Sequence, residues 1–237
     1  MRFYLLLFVL FLCSCASVKN YHPSLKSEKE NIKKVCVVST IKVYQITAGN
    51  VREYREDYTK QAEKNIKLAI REEFRNKFGG EVIYLSDIKN VDEDIKDKIE
   101  EVGILYSYIK SGIYFQSMVK KDNVQKVFSY FNYPNLSEFN NISKRVDTNY
   151  FLFFWGVDNV STAGRVTLEI LKMLVGSAVG ISISPQWGIS IIDMSLVDID
   201  SGRLLWNTSI FKKGTCNFRQ YDSIKYTIHH LFSEVPD

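Results

Sequence analysis

The residues of this chain best suited to chemistry are three aspartates in its last quarter, Asp193, Asp198 and Asp200. Two carboxylates on one face at a strand end could bind a hard cation through oxygen. Asp198 and Asp200 have that spacing. Asp193 lies an odd number of positions from both, so it points to the opposite face of a regular strand. Asp200-Ser201-Gly202 is also ordinary turn chemistry, and no metal site is expected. His229 and His230 are adjacent. On a helix they diverge by about 100° and cannot share one ion, and His22 is remote from both. No Walker loop, Cys-x-x-Cys or Gly-x-Ser-x-Gly elbow is present, and Gly176-Ser177-Ala178-Val179-Gly180 has the wrong spacing for the elbow. The chain is therefore expected to work without a cofactor and not as an enzyme.

The clearest functional signal lies at the N-terminus. Arg2 is followed by an unbroken apolar run over residues 3–12. That run is shorter than the roughly 20 residues of a membrane span and suits the apolar region of a signal peptide. It ends in Leu12-Cys13-Ser14-Cys15, which resembles the lipobox of bacterial lipoproteins, with Cys13 an unusual occupant of its middle position. The resemblance implies cleavage before Cys15, diacylglycerol on its thiol and acylation, such as palmitate, of the new amino group. Ala16-Ser17 follows, without the aspartate that suggests retention at an inner membrane. By the same resemblance the protein is expected in the outer membrane, lipid-anchored on the periplasmic side.

Composition agrees with a folded domain in that place. The chain has 237 residues, 46% hydrophobic and 24% charged, which is globular and well away from disorder. Aromatic residues make up 14%, enough for a sizeable core. The formal charge of +4 falls with the loss of Arg2 and is too small to argue for nucleic acid. With Cys15 acylated, Cys36 and Cys216 are an even pair in a compartment that permits disulfides. They could bridge only if the ends of the fold meet, and two buried thiols are the simpler expectation.

Periodicity places the elements. Residues 16–34 are polar and weakly patterned and read as a flexible tether. Residues 35–46 form a strand whose Val35-Cys36-Val37-Val38 front is apolar on both faces. Over residues 55–78, Ala62, Ile66, Ile70, Phe74 and Phe78 recur every four positions, predicting a helix, with Gly79-Gly80 as its stop. A short strand over 81–85 completes a βαβ unit, so the two strands should be parallel. Residues 87–131 are helical in pattern and dense in aromatics, and 136–146 make another short helix. Tyr150-Phe151-Leu152-Phe153-Phe154-Trp155-Gly156-Val157 is the best candidate for a central strand covered on both sides. A helix over 163–175 should carry Val166, Ile170, Met173 and Leu174 on one side. The small, apolar run after it holds Gly176 and Gly180 at a spacing that lets membrane helices approach closely, but Glu169, Lys172 and Pro185 argue against a full span. Two strands over 187–199 and 204–211, joined by a turn with Gly202, form a hairpin. A last helix over 220–232 directs Ile224, Ile228, Leu231 and Phe232 inward.

At the hairpin the sequence reaches a known pattern. Leu196-Val197-Asp198, then Ser201-Gly202 and Leu204-Leu205-Trp206, resembles the L-x-D-x-x-T-G-x-x-x-W hairpin of envelope lipoproteins. These are the curli-secretion-channel, exopolysaccharide-export and penicillin-binding-protein-activator lipoproteins, whose shared domain is similar to the N-terminal domain of the Tol translocation protein. The resemblance covers roughly residues 35–232 in outline. It departs at 87–131, longer than the usual connection, and at 163–184, where a shorter one is common. Channel-forming relatives build a barrel from inserted amphipathic hairpins, and no alternating strand pair of that kind is evident here.

The expectation is thus a signal peptide at 1–14, an acylated cysteine and tether at 15–34, and one α/β periplasmic domain at 35–237 with a helical insertion at 87–133. The domain should hold a mixed central sheet covered by helices, a βαβ start and a C-terminal β-hairpin plus helix. The expected function is a non-catalytic accessory or adaptor in cell-envelope assembly or export. It would be held to the membrane by Cys15 and contact an envelope partner or a second copy through Leu171, Leu174, Gly176, Gly180 and Ile183. The alternatives are a ring-forming transport lipoprotein that makes or lines a pore, and a periplasmic enzyme acting through Asp198 or Asp200.

Overall fold

Two strands without a polar face organise the domain. The computed structural model describes residues 21–89, 97–99, 101–104, 106, 140–182, 188–214 and 216–237. Strand β1 (Lys34–Ile46) lies parallel to β4 (Tyr150–Ser161), in register from Cys36 opposite Phe151 to Ile46 opposite Ser161. Alternation sends Val35, Val37, Leu152 and Phe154 to one face and Cys36, Val38, Phe151 and Phe153 to the other, and all are buried. Both faces must therefore be covered. Antiparallel β5 (Gly188–Asp198) and β6 (Arg203–Lys213) extend the sheet beyond β4. On its other edge β1 pairs with antiparallel β2 (Arg52–Tyr54) near its end and with parallel β3 (Glu81–Tyr84) near its start. The result is one open, mixed sheet of six strands in an α/β domain. β2 escapes a sequence reading because Arg-Glu-Tyr has no apolar alternation.

The first face carries two long helices. Helix α2 (Glu56–Phe78) buries Ala62, Ile66, Ala69, Ile70, Phe74 and Phe78. It ends where Gly79 adopts φ 65° and its N–H bonds Arg75 O at 2.9 Å, the left-handed closure that glycine allows. Helix α5 (Tyr221–Ser233) lies beside it and buries Ile224, Ile228, Leu231 and Phe232. Among the described residues the second face is covered at one end. There Ile99, Val102 and Tyr106 join Ile142 and Val146 of α3 (Asn140–Val146) against Phe151, Phe153, Val197 and Leu204. The rest of the 87–133 insertion and its aromatics lie outside the described residues, as do 1–20.

The expected tether is corrected by the fold. From Tyr21 onward it is packed structure. Tyr21 bridges Trp206 on the free edge of β6, and His22 N–H bonds Leu205 O at 2.8 Å. A turn of helix, α1 (Leu25–Glu28), follows, and Leu25 and Ile32 are fully buried in the first-face core. Isolated apolar residues in a polar stretch carry no period, so the sequence did not reveal them. Covering a sheet edge also removes a template for aggregation. Leu25→Ala and Ile32→Ala should each cost about 2–5 kcal/mol in a denaturant titration; a flexible tether would show no change.

Candidate interaction site

The hairpin aspartates are used in holding the fold. Asp198 accepts from the Asp200 N–H at 3.2 Å and from the Ser201 hydroxyl, and pairs with Arg203 at 3.4 Å. Arg203 also reaches Glu28 at 3.0 Å and the Ser24 hydroxyl at 3.2 Å. The turn thereby pins the N-terminal segment. Beside it is a cleft of about 470 Å³, lined by Lys34, Glu81, Asp147, Tyr150, Asp198 and Asp200 among others. Lys34 spans it, 3.4 Å from both Glu81 and Asp147. Asp193 belongs to the other face of β5. Among the described residues no three His, Cys, Asp or Glu groups could hold a metal ion together. His229 Nδ1 faces Glu73 at 2.9 Å, and His230 is exposed. The two thiols are free and buried in opposite cores, so the sheet separates them. Burial pushes the Cys36 thiol up to about 12, which removes its reactive thiolate.

The opposite end of the sheet is built differently. Helix α4 (Ala163–Ala178) leaves β4 there, with the Thr162 side chain accepting from Arg165 N–H as N-cap. Its polarity is inverted. Arg165 and Glu169 are buried, whereas Ile170, Leu171, Leu174 and Val175 are exposed, Leu174 at 64%. The guanidinium of Arg165 donates to Thr47 O and Asn50 Oδ1 at the end of β1, and Glu169 pairs with Lys172 at 2.8 Å. The side of the helix that carries Ile170 and Leu174 therefore faces outward. Periodicity revealed the stripe but not which side of it the root would bury, and Arg165 orients that side toward carbonyl groups that need a donor. Gly176 is buried within the helix. Gly180 lies past its end with φ 74°, so the two glycines do not form one helical stripe. Leu171 and Leu174 reach the surface, and Ile183 lies outside the described residues. From Met173 to Ile192 the chain carries no charged side chain. Among the described residues no helix is long and apolar enough to cross a membrane.

Side chains from the other strands surround this root. On the half of the second face that the helices leave open, Trp155 is 44% and Phe211 63% exposed. Tyr44 and Tyr54 meet edge to face at 5.8 Å, with the Arg52 guanidinium 3.6 Å from the Tyr44 ring centre. Lys42, Arg52, Lys212 and Lys213 are all exposed at this end, with Glu53 and Asp193, which stands opposite Trp155, as acids among them. The two ends of the sheet thus differ in chemistry. The hairpin end is a polar cleft rich in carboxylates, and the α4 end is apolar and aromatic within a cationic rim.

A buried carboxylate braces the α4 end from below. Asp158 sits on the first face of β4, 3% exposed. It accepts from the Ser190 hydroxyl of β5 at 2.7 Å and from Phe218 N–H at 3.1 Å. Burial raises its pKa above the ordinary carboxylate range, opposed by these two hydrogen bonds and by Arg219. Sequence reading passed over Asp158. The available signal was a lone acid inside the apolar run of β4.

No protein-family model matches the sequence, and no curated protein does. Among solved structures, the PelC dodecamer of Paraburkholderia phytofirmans is 10% identical, with 86% of this chain and 89% of that chain covered and a TM-score of 0.33. A point-substituted form of the same dodecamer gives 0.35, at 10% identity over 86% and 90%. The LpoB C-terminal domain of Salmonella enterica is 9% identical over 79% and 90%, with a TM-score of 0.29. These are likenesses of outline, and no residue role passes from them to this chain.

The Asp158 brace makes its own prediction. Asp158→Asn places an amide N–H₂ or a single oxygen before two donors, leaving one unmet at a cost of about 1–3 kcal/mol. The pH dependence has a definite sign. A folded-state pKa raised by burial means the folded protein takes up the proton first as pH falls. The ionised group's penalty is then present above the folded pKa and relieved as pH drops through it. Acidification from neutral pH should therefore improve wild-type stability relative to Asp158→Asn, measured by denaturation across that range.

Proposed function

We propose that this chain is a lipid-anchored protein of the bacterial envelope, held at the outer membrane on its periplasmic side, that acts by binding. Cleavage would remove residues 1–14 and leave Cys15 as the acylated terminus. Residues 35–237, joined by the packed segment from Tyr21, would form the periplasmic domain. The observation that carries the binding role is the inverted polarity of α4, which buries Arg165 and Glu169 and presents Leu171, Leu174 and Val175. Large apolar patches on soluble surfaces are unusual and mark contact sites. An accessory or adaptor role in envelope assembly or export fits such a surface. The described acids near the cleft serve the turn, the ion pairs and the N-terminal segment, which supports a non-catalytic reading.

Two or three acyl chains anchor firmly where one is marginal, each buried CH₂ contributing about 0.8 kcal/mol. The described fold begins at Tyr21, which leaves residues 16–20 between it and Cys15. The six steps from Cys15 to Tyr21 reach about 20 Å at most, so the domain would stay close to the bilayer. The anchor is tested by growing cells that express the full chain with a clickable palmitate analogue. The wild-type chain should take up label and yield a mature N-terminus at Cys15. Cys15→Ala should take up none, and label persisting in it through Cys13 or any other residue would refute the assignment.

A further inference from the structure

We infer that the α4 end of the domain seats on the surface of an anionic lipid bilayer. Three observations on this end select a lipid surface. The first is the uncharged stretch over residues 173–182 at the end of α4, which exposes Leu174, Val175, Val179 and Ile181. Such a run on a helix too short to span suits shallow insertion at the interface. The second is the exposed aromatic side chains on the strands. Trp155 and Tyr54, on β4 and β2, are exposed, as is Phe211 on β6, and aromatic rings with one polar end, as Trp and Tyr have, favour the boundary between acyl chains and headgroups. The third is charge. Lys42, Arg52, Lys212 and Lys213 outnumber Glu53 and Asp193 at this end of the sheet, while Glu81, Asp147, Asp198 and Asp200 outnumber Lys33 and Lys34 around the cleft at the far end. An anionic surface attracts the first end and repels the second.

Tether length makes the geometry feasible. Tyr21 is tied to Trp206, and Phe211 lies five residues further along the same edge strand, about 17 Å away. A linker reaching about 20 Å lets Cys15 arrive at the level of Phe211. This last point rests on the lipoprotein reading above; the attraction of the tip for lipid does not.

The test uses the chain from Ala16, which keeps the whole described core because that core begins at Tyr21. It should co-sediment with phosphatidylcholine vesicles doped with phosphatidylglycerol, with binding weakened by salt, and should not do so with phosphatidylcholine alone. Combined Leu174→Asp and Val175→Asp, at sites already exposed, should abolish binding with an unchanged circular dichroism spectrum. Combined Lys212→Glu and Lys213→Glu should weaken it on the order of tenfold. Failure to bind, equal binding to neutral vesicles, or binding that survives Leu174→Asp and Val175→Asp would overturn the proposal. So would a stable oligomer in light scattering that those two substitutions dissolve, since a second copy would then own the surface. Palmitate labelling of Cys15 is read separately, so loss of one result leaves the other standing.

Discussion

The pairing of β1 with β4 is the constraint on which the rest depends. Neither strand has a polar face over its first half, because Val35-Cys36-Val37-Val38 stands beside Phe151-Leu152-Phe153-Phe154. A sheet seeded by such a pair must be covered twice. Helices α2 and α5 cover one face, and residues around Ile99, Val102 and Tyr106 with α3 cover the other. Burial of aromatic and branched side chains is the dominant favourable term, at about 25 cal/mol per Å², and it is concentrated here. Surface ion pairs such as Lys225–Glu72, at 2.6 Å, add little beside it.

Apolarity along both strands does not persist to their ends, and the change of character there divides the molecule. Past Phe154 the second face passes to the exposed Trp155 and to Lys42, and the first face takes in Asp158. The carboxylate is tolerated because strand β5 and the Phe218 backbone both donate to it, as a buried acceptor requires. Its bonds hold the start of β5 and the loop before α5 to β4.

The N-terminal segment closes the other weak point. An edge strand such as β6 offers unpaired backbone groups, and Tyr21 with His22 occupies some of them. Leu25 and Ile32 then enter the core, while Arg203 ties Glu28 to the hairpin. One stretch thus serves as edge guard and core filler.

Much of this was legible in the sequence. The period of Ala62, Ile66, Ile70, Phe74 and Phe78, the stop at Gly79 and the apolar runs of β1 and β4 marked their elements, because local period and glycine conformation are properties of the chain itself. The hairpin with Gly202 at φ 69° was legible for the same reason, and parallel β1 and β3 followed from connectivity. Tertiary structure alone decided the rest. Tyr21, Leu25 and Ile32 look like tether until the β6 edge and the α2–α5 core are present to receive them. Asp158 looks misplaced until Ser190 and Phe218 supply donors from 32 and 60 residues away. The stripe on α4 has a helical period in either orientation. The carbonyl of Thr47 and the side chain of Asn50, brought to the helix root at the end of β1, receive Arg165 on the inner side, and Leu171 and Leu174 stand on the surface. Which side of an amphipathic helix is buried is a property of its neighbours, and those neighbours are assembled by contacts distant in sequence.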